Sequence, residues 1–378
     1  MGKGATVQDV FQLYGEKYLV NYNPPSHVWK AARAITNCRT QALGGHVDKC
    51  ECGYTRISYN SCRNRHCPKC QALSKERWIM ARKEELLPVQ YFHIVFTLPH
   101  ELSGILMQNQ KSMYNLLFKA AQETIRTLAR DKKYLGAEIG LTSILHTWGQ
   151  NLTFHPHVHM IVPGGGLTPD GKWKTSRKKF FIPVKVMSKL FRGKFLYYLR
   201  QEKLTFCGNE KYLDNPNQFA SLIASLYKKD WYIYCKAPFK TPTSVLEYLG
   251  RYTHRIAISD HRIISVANET VSFKYRDYQD GNKAKIMSLP TNEFMRRFLM
   301  HVLPPQFTKI RHYGLLASAI KGKKLALCRK LIGVRVTISS NTKLNPLELI
   351  KLLTGVDITV CPQCGQTLTR ASPTFLIA

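Results

Sequence analysis

Phe154-His155-Pro156-His157-Val158-His159-Met160-Ile161-Val162 is the stretch on which the fold turns. Three of the chain's thirteen histidines fall within five of its residues. On a β-strand, alternate side chains share a face. His157 and His159 therefore point the same way, and Val158 is buried on the other face. Two imidazoles on one face can chelate a single divalent ion, and an ion held there can polarise a phosphoryl oxygen. A third ligand is needed, and His155 and Gln150 are the candidates. Pro156 leaves the direction of His155 open. A lone strand histidine is more often a satisfied core residue, but a pair at i, i+2 among apolar strand formers is poorly explained that way.

The reading extends outward from this strand. Residues 141–149 form a second strand, and the short turn at 151–156 makes the two a hairpin. Gly164-Gly165-Gly166 ends it. Upstream, Tyr91-Phe-His-Ile-Val-Phe-Thr-Leu98 reads as a buried strand. Residues 105–130 carry apolar side chains at Met113, Leu116, Leu117, Ala120, Ala121, Ile125 and Leu128, which is helical spacing with one packed face. Downstream, 186–200 reads as helix, 231–235 as strand and 244–254 as helix. Two short strands follow at 263–267 and 271–275, and the chain beyond about 290 reads mostly helical.

Charge points to the partner. Lys and Arg number 56 against 24 acids in 378 residues, a net +32. Such an excess calls for a polyanion, most simply nucleic acid. It is also local: residues 172–200 hold ten Lys/Arg and no acid, and 296–351 hold twelve against Glu348 alone. Hydrophobic residues make up 44% of the chain, enough to bury a core and to argue against wholesale disorder. No apolar leader opens the sequence and no run approaches the ~18 residues of a spanning helix. The expectation is a cytoplasmic protein working on DNA, with no membrane role.

In a reducing compartment, clustered cysteines indicate metal. Six of the eleven lie in CRTQALGGHVDKCECGYTRISYNSCRNRHCPKC, residues 38–70. Cys50-Glu-Cys52-Gly and Cys67-Pro-Lys-Cys70 form a C-x-C … C-x2-C framework for zinc. Cys38, His46, Cys62 and His66 could complete a second site, so one or two ions are expected. Cys361-Pro-Gln-Cys364 is half a further site whose partners are not nearby. The segment has few large apolar residues, so metal supplies much of its folding free energy. Arg63, Arg65 and Lys69 lie between the ligands and are candidate DNA contacts. So are Arg177, Lys178, Lys179, Arg251 and Arg255.

Tyr248-Leu-Gly-Arg-Tyr252-Thr-His-Arg255 places two tyrosines at i, i+4, one face of a helix. Spacing alone favours packing, since it recurs at Tyr14/Tyr18 and Tyr18/Tyr22. The cationic surroundings suit a phenol that attacks phosphate.

Together, a His-hydrophobic-His strand and a later Tyr-x3-Tyr helix resemble the two-tyrosine class of HUH nucleases. CRNRHCPKCQ and GGHVDKCECG look like the zinc-binding domain of rolling-circle insertion-sequence transposases. YFHIVFTLPHEL, HTWGQNLTFHPHVHMIVPGGG and YLGRYTHRIAIS look like that family's catalytic domain, and CPQCG is similar to its ending. The resemblance implies an α+β fold with a ferredoxin-like antiparallel sheet. It implies a zinc-binding domain over 1–88, a nuclease domain over 89–290 and a basic C-terminal region over 291–378. It also implies Mg²⁺ or Mn²⁺ at His157 and His159. Tyr248 or Tyr252 would attack single-stranded DNA to give a 5′-phosphotyrosine. The competing readings are a relaxase or replication initiator, a non-enzymatic zinc protein that binds nucleic acid, and a zinc hydrolase. No phosphate-cradling GxxxxGK[ST] of an appended helicase is present. Oligomeric state and DNA site are not readable.

Overall fold

The computed structural model describes residues 4–177, 181–236, 239, 244–245, 250, 257–278, 280–334 and 344–371. Helices α1 (Val7–Tyr22) and α2 (Ser26–Thr36) precede a hairpin of β1 (Gly45–Lys49) and β2 (Thr55–Tyr59) and helix α3 (Gln71–Lys83). Then come β3 (Tyr91–Thr97), α4 (Ser103–Gln108), α5 (Gln110–Arg130), β4 (Gly140–Trp148) and β5 (Phe154–Pro163). A small ribbon, β6 (Gly165–Leu167) and β7 (Trp173–Thr175), leads to α6 (Val184–Leu199), α7 (Pro216–Lys228) and β8 (Ile233–Lys236). A meander of β9 (Ile263–Ala267), β10 (Thr270–Asp277) and β11 (Lys283–Pro290) follows. The chain ends in α8 (Thr291–Leu299), β12 (Ile310–Gly314), α9 (Lys321–Ile332), α10 (Pro346–Thr354) and β13 (Thr369–Arg370).

The central sheet has the order β12-β4-β5-β3-β8, with every pairing antiparallel. Without β12, the sequence β3-α5-β4-β5-α6-β8 is the βαββαβ ferredoxin-like arrangement. Alternation along the strands divides the sheet cleanly. Phe92, Ile94 and Phe96 of β3, Leu141 and Leu145 of β4, and Val158, Met160 and Val162 of β5 share one core with the buried faces of α5 and α6. Phe96 meets Phe191 edge to face at 4.8 Å. The opposite face carries Tyr91, Ile144 and Ile161, roofed by Val245 and by Trp78 of α3. Both faces are covered, which is why β3 reads as a continuous apolar run.

Three expectations are corrected in detail. The helix expected over 105–130 is two, broken at Asn109. The strand β11 was not expected, since its exposed, lysine-bearing residues lack an apolar pattern. The region beyond 290 is not simply helical. It adds β12 to the central sheet and β13 to the hairpin of the zinc segment, while α8 packs with α1, α2 and the β9–β11 meander in a second core around Phe11, Phe273, Phe294 and Phe298.

Candidate functional site

The β4–β5 hairpin sets the site. Its register pairs Ile144 with His159 and His146 with His157. Cross-strand partners share a face, so His146, His157 and His159 lie together on the side away from α5 and α6. Their available nitrogens all fall within 4.8 Å of one another. His157 Nε2 and His159 Nε2 are 3.0 Å apart. Two nitrogens each about 2.1 Å from one ion at a right angle would be about 3.0 Å apart, so the pair fits a shared cation.

The far side of each ring is anchored. His157 Nδ1 donates to the His155 carbonyl at 2.6 Å. His159 Nδ1 lies 2.8 Å from Nε2 of His93, a β3 residue stacked on it with rings 5.0 Å apart. Anchoring Nδ1 fixes the tautomer and leaves Nε2 to face the partner ring. Burial pushes the His157 imidazole down to about 4 and that of His93 to about 3, and puts His159 well below the ordinary range. Neighbouring imidazoles and Lys236 or Lys309 add to the effect at His93 and His159. The rings are thus neutral near pH 7, the form that ligates metal.

The third member is His146, which the sequence reading missed. Its signal was present: it lies in the strand before the turn, and the hairpin register determines its partner. His155 and Gln150, the candidates by sequence, are corrected. His155 is exposed and contributes its carbonyl. Gln150 lies beyond the end of β4, where its Nε2 donates to the Tyr278 hydroxyl and its carbonyl accepts from Arg262. A bulge between His146 and Trp148 turns the chain away before that point. Tyr248, Tyr252, Arg251, Arg255, Lys178 and Lys179 lie outside the described residues. Gly250, between the two tyrosines, is helical. A Cβ there would collide with Ile79 Cδ1, so the glycine admits α3 at close range.

The cysteines form two sets of four. Cys38, Cys62, Cys67 and Cys70 are one, with Cys70 Sγ 3.5 Å from both Cys38 and Cys62. Cys50, Cys52, Cys361 and Cys364 are the other. Tetrahedral Zn–S bonds of about 2.3 Å place sulfurs about 3.8 Å apart, so both sets fit zinc. Two expected ligands are corrected. His66 is buried, and its Nε2 accepts from the Leu303 amide at 3.1 Å. His46 sits between Arg370 at 3.0 Å and Asp48 at 3.6 Å. With eight sulfurs present, neither imidazole is required. The C-x-C and C-x2-C pairs also belong to different sets, because β13 carries Cys361 and Cys364 to the tip of the β1–β2 hairpin.

A cavity of about 520 Å³ opens at Trp148, between the zinc segment and the end of β4. Arg63, Arg65, Trp148, Phe307 and Lys309 are among its lining residues. Trp148 stacks on His146 with centroids 4.7 Å apart, and Lys309 Nζ lies 4.9 Å from the Trp148 ring. Burial, then the charge of Arg65, brings the Lys309 ammonium down to about 7. Arg63 and Arg177 are exposed. Arg65 donates to the carbonyls of Phe307 and Pro304, and Lys69 to Gln8, so these two also brace the fold.

The family described as "Putative transposase" matches residues 140–324, and "Transposase zinc-binding domain" matches 10–98. "Putative transposase y4qJ" of Sinorhizobium fredii is 46% identical over 373 residues, covering 96% of this chain and 94% of that protein. The chain belongs to this transposase family. The transposase for insertion sequence element IS801 of Pseudomonas savastanoi pv. phaseolicola is 26% identical over 339 residues, 87% of this chain and 79% of that one. Among solved structures, TrwC complexed with a 27-mer DNA matches over 65% of this chain and 75% of that one, at 10% identity and a TM-score of 0.24, too distant to bear on the fold. This transposase therefore works on DNA and carries a zinc-binding domain. No helix among its described residues is long and apolar enough to cross a membrane.

Proposed function

We propose that this transposase cuts and rejoins single-stranded DNA through a covalent tyrosine intermediate, with the scissile phosphate held at His146, His157 and His159. The observation that carries the reading is the 3.0 Å approach of two anchored Nε2 atoms beside a third imidazole on one sheet face. A divalent cation bound there would draw charge from a phosphate oxygen. Three imidazoles suit a first-row transition ion such as Mn²⁺ better than Mg²⁺, which prefers oxygen ligands.

The chain's own groups supply the rest. His157 and His159 keep their Nε2 atoms toward the phosphate because the His155 carbonyl and His93 hold the other side of each ring. The hydroxyl of Tyr248 or Tyr252 attacks phosphorus. The P–O3′ bond breaks, leaving a 5′-phosphotyrosine and a free 3′-hydroxyl. The phosphodiester energy is retained for rejoining, and a second tyrosine allows a second cleavage. Trp148 gives the strand a stacking surface and Arg63 positive charge near the histidines.

The test is covalent trapping. Oligonucleotides from the element's end, single-stranded and with Mn²⁺, should yield a protein–DNA adduct on denaturing gels. Tyr248→Phe with Tyr252→Phe should abolish it. His146→Ala should raise the Mn²⁺ needed for half-maximal adduct by about 10–100-fold. An adduct undiminished in the double tyrosine variant would overturn the reading.

A further inference from the structure

The family's zinc-binding region ends at residue 98, yet four cysteine sulfurs meet across the two ends of the chain. Cys50 Sγ is 3.3 Å from Cys364 Sγ, and Cys52 Sγ is 3.7 Å from Cys361 Sγ. These pairs are 314 and 309 residues apart in sequence. The two turns that present them are alike. Gly53 (φ +87°) and Gly365 (φ +79°) both take the left-handed conformation that glycine adopts freely. Each donates its amide to the carbonyl of the leading cysteine, Cys50 or Cys361, at 3.0 Å.

The arm's other contacts with the N-terminal hairpin are mostly polar. Of the side chains in α10, Leu349 is buried, while Leu352, Leu353 and Val356 just beyond are exposed. β13 pairs with β1 at two positions, Asp48 with Arg370 and Lys49 with Thr369. The Ala371 amide donates to Val47, and Arg56 bridges the Ile358 carbonyl and Asp48. The arm nevertheless reaches toward Gly250. Ile350, Leu353 and Thr354 line one cavity with Gln71 and Lys75 of α3 and with Gly250.

We propose that Cys50, Cys52, Cys361 and Cys364 hold a second zinc ion that clamps the C-terminal arm, residues 344–371, onto the N-terminal zinc segment and next to Gly250. The central sheet is inserted between the two halves of this site, so the site assembles only when the chain ends have come together. A cross-link over so long a loop removes much of the arm's freedom to dissociate.

Cobalt substitution of the full chain tests this, because the thiolate-to-cobalt charge-transfer band counts sulfur sites and ignores the histidine cluster. Titration of metal-free protein should saturate at two equivalents. Cys361→Ser with Cys364→Ser should saturate at one, and so should Cys50→Ser with Cys52→Ser. Trypsin should cut at Lys351 and Arg370 at least tenfold faster in the Cys361/Cys364 variant than in the zinc-loaded wild type, while the core fragment stays resistant and confirms folding. Saturation of the wild type at one equivalent, two equivalents in either double variant, or equal cleavage rates would overturn the clamp. None of these readings depends on adduct formation, so the clamp and the tyrosine chemistry stand or fall separately.

Discussion

His301 lies just beyond α8, fully enclosed, between the Thr147 hydroxyl at 3.1 Å and the Leu152 carbonyl at 3.2 Å. Burial pushes its imidazole down to about 4, against a partial opposing pull from the Leu152 carbonyl. An unfolded chain takes up this proton near pH 6.5, so the stability of the native state is level above that pH and falls as pH drops from 6.5 toward 4. The shift corresponds to about 3 kcal/mol. Urea unfolding should show a nearly level stability above pH about 6.5 and a decline below it, and His301→Asn should make that decline shallower without removing it, because burial also holds His66, His93 and His157 below their ordinary range. A variant with the wild-type slope would remove His301 as its source. The histidines at the site follow the same physics to a different end. Burial keeps them neutral, and neutrality is what a ligand needs. His157 and His159 were legible because strand alternation is local. His93 and His146 were not picked out, because each reaches the pair across a strand rather than along one.

At the scale of elements, α3 connects the cysteine cluster to Gly250. It begins at the Cys67–Cys70 turn and runs to Lys83, passing Gly250 with Ile79. An added methyl at Gly250 meets the tip of Ile79, so Gly250→Ala should cost about 1–2 kcal/mol by overpacking and should slow adduct formation. Ile79→Val removes the clashing atom. The pair Gly250→Ala/Ile79→Val should therefore recover most of the melting temperature and the adduct rate lost in Gly250→Ala. Failure of the rescue would show that the contact does not matter. The hairpin and the α5 face were expected from periodicity and turn residues. The break at Asn109 and the exposed strand β11 were not, since neither interrupts or creates an apolar pattern.

Over the whole molecule, the charge of +32 acquires a place. Arg63 and Lys309 border the cavity at Trp148, and Arg177 is exposed at the rim of the β6–β7 ribbon. Single-strand binding that draws on these groups and the acid-free stretches should be steeply salt-dependent. A plot of log K against log salt for a dT20 oligonucleotide should have a slope of about −4 or steeper, equivalent to about six neutralised phosphates. A slope near −1 would confine contact to the immediate site. The chain by itself determined the strand carrying His157 and His159, the cysteine-rich metal segment, the α+β class and the transposase resemblance. All of these rest on patterns within a few residues or on long matching strings. Tertiary structure alone decided which side chains meet: His146 beside His157, and Cys361 and Cys364 beside Cys50 and Cys52. Strand register and the meeting of chain ends are set by contacts tens to hundreds of residues apart. No spacing in the sequence records which of several chemically equivalent cysteines or histidines will arrive at the same point.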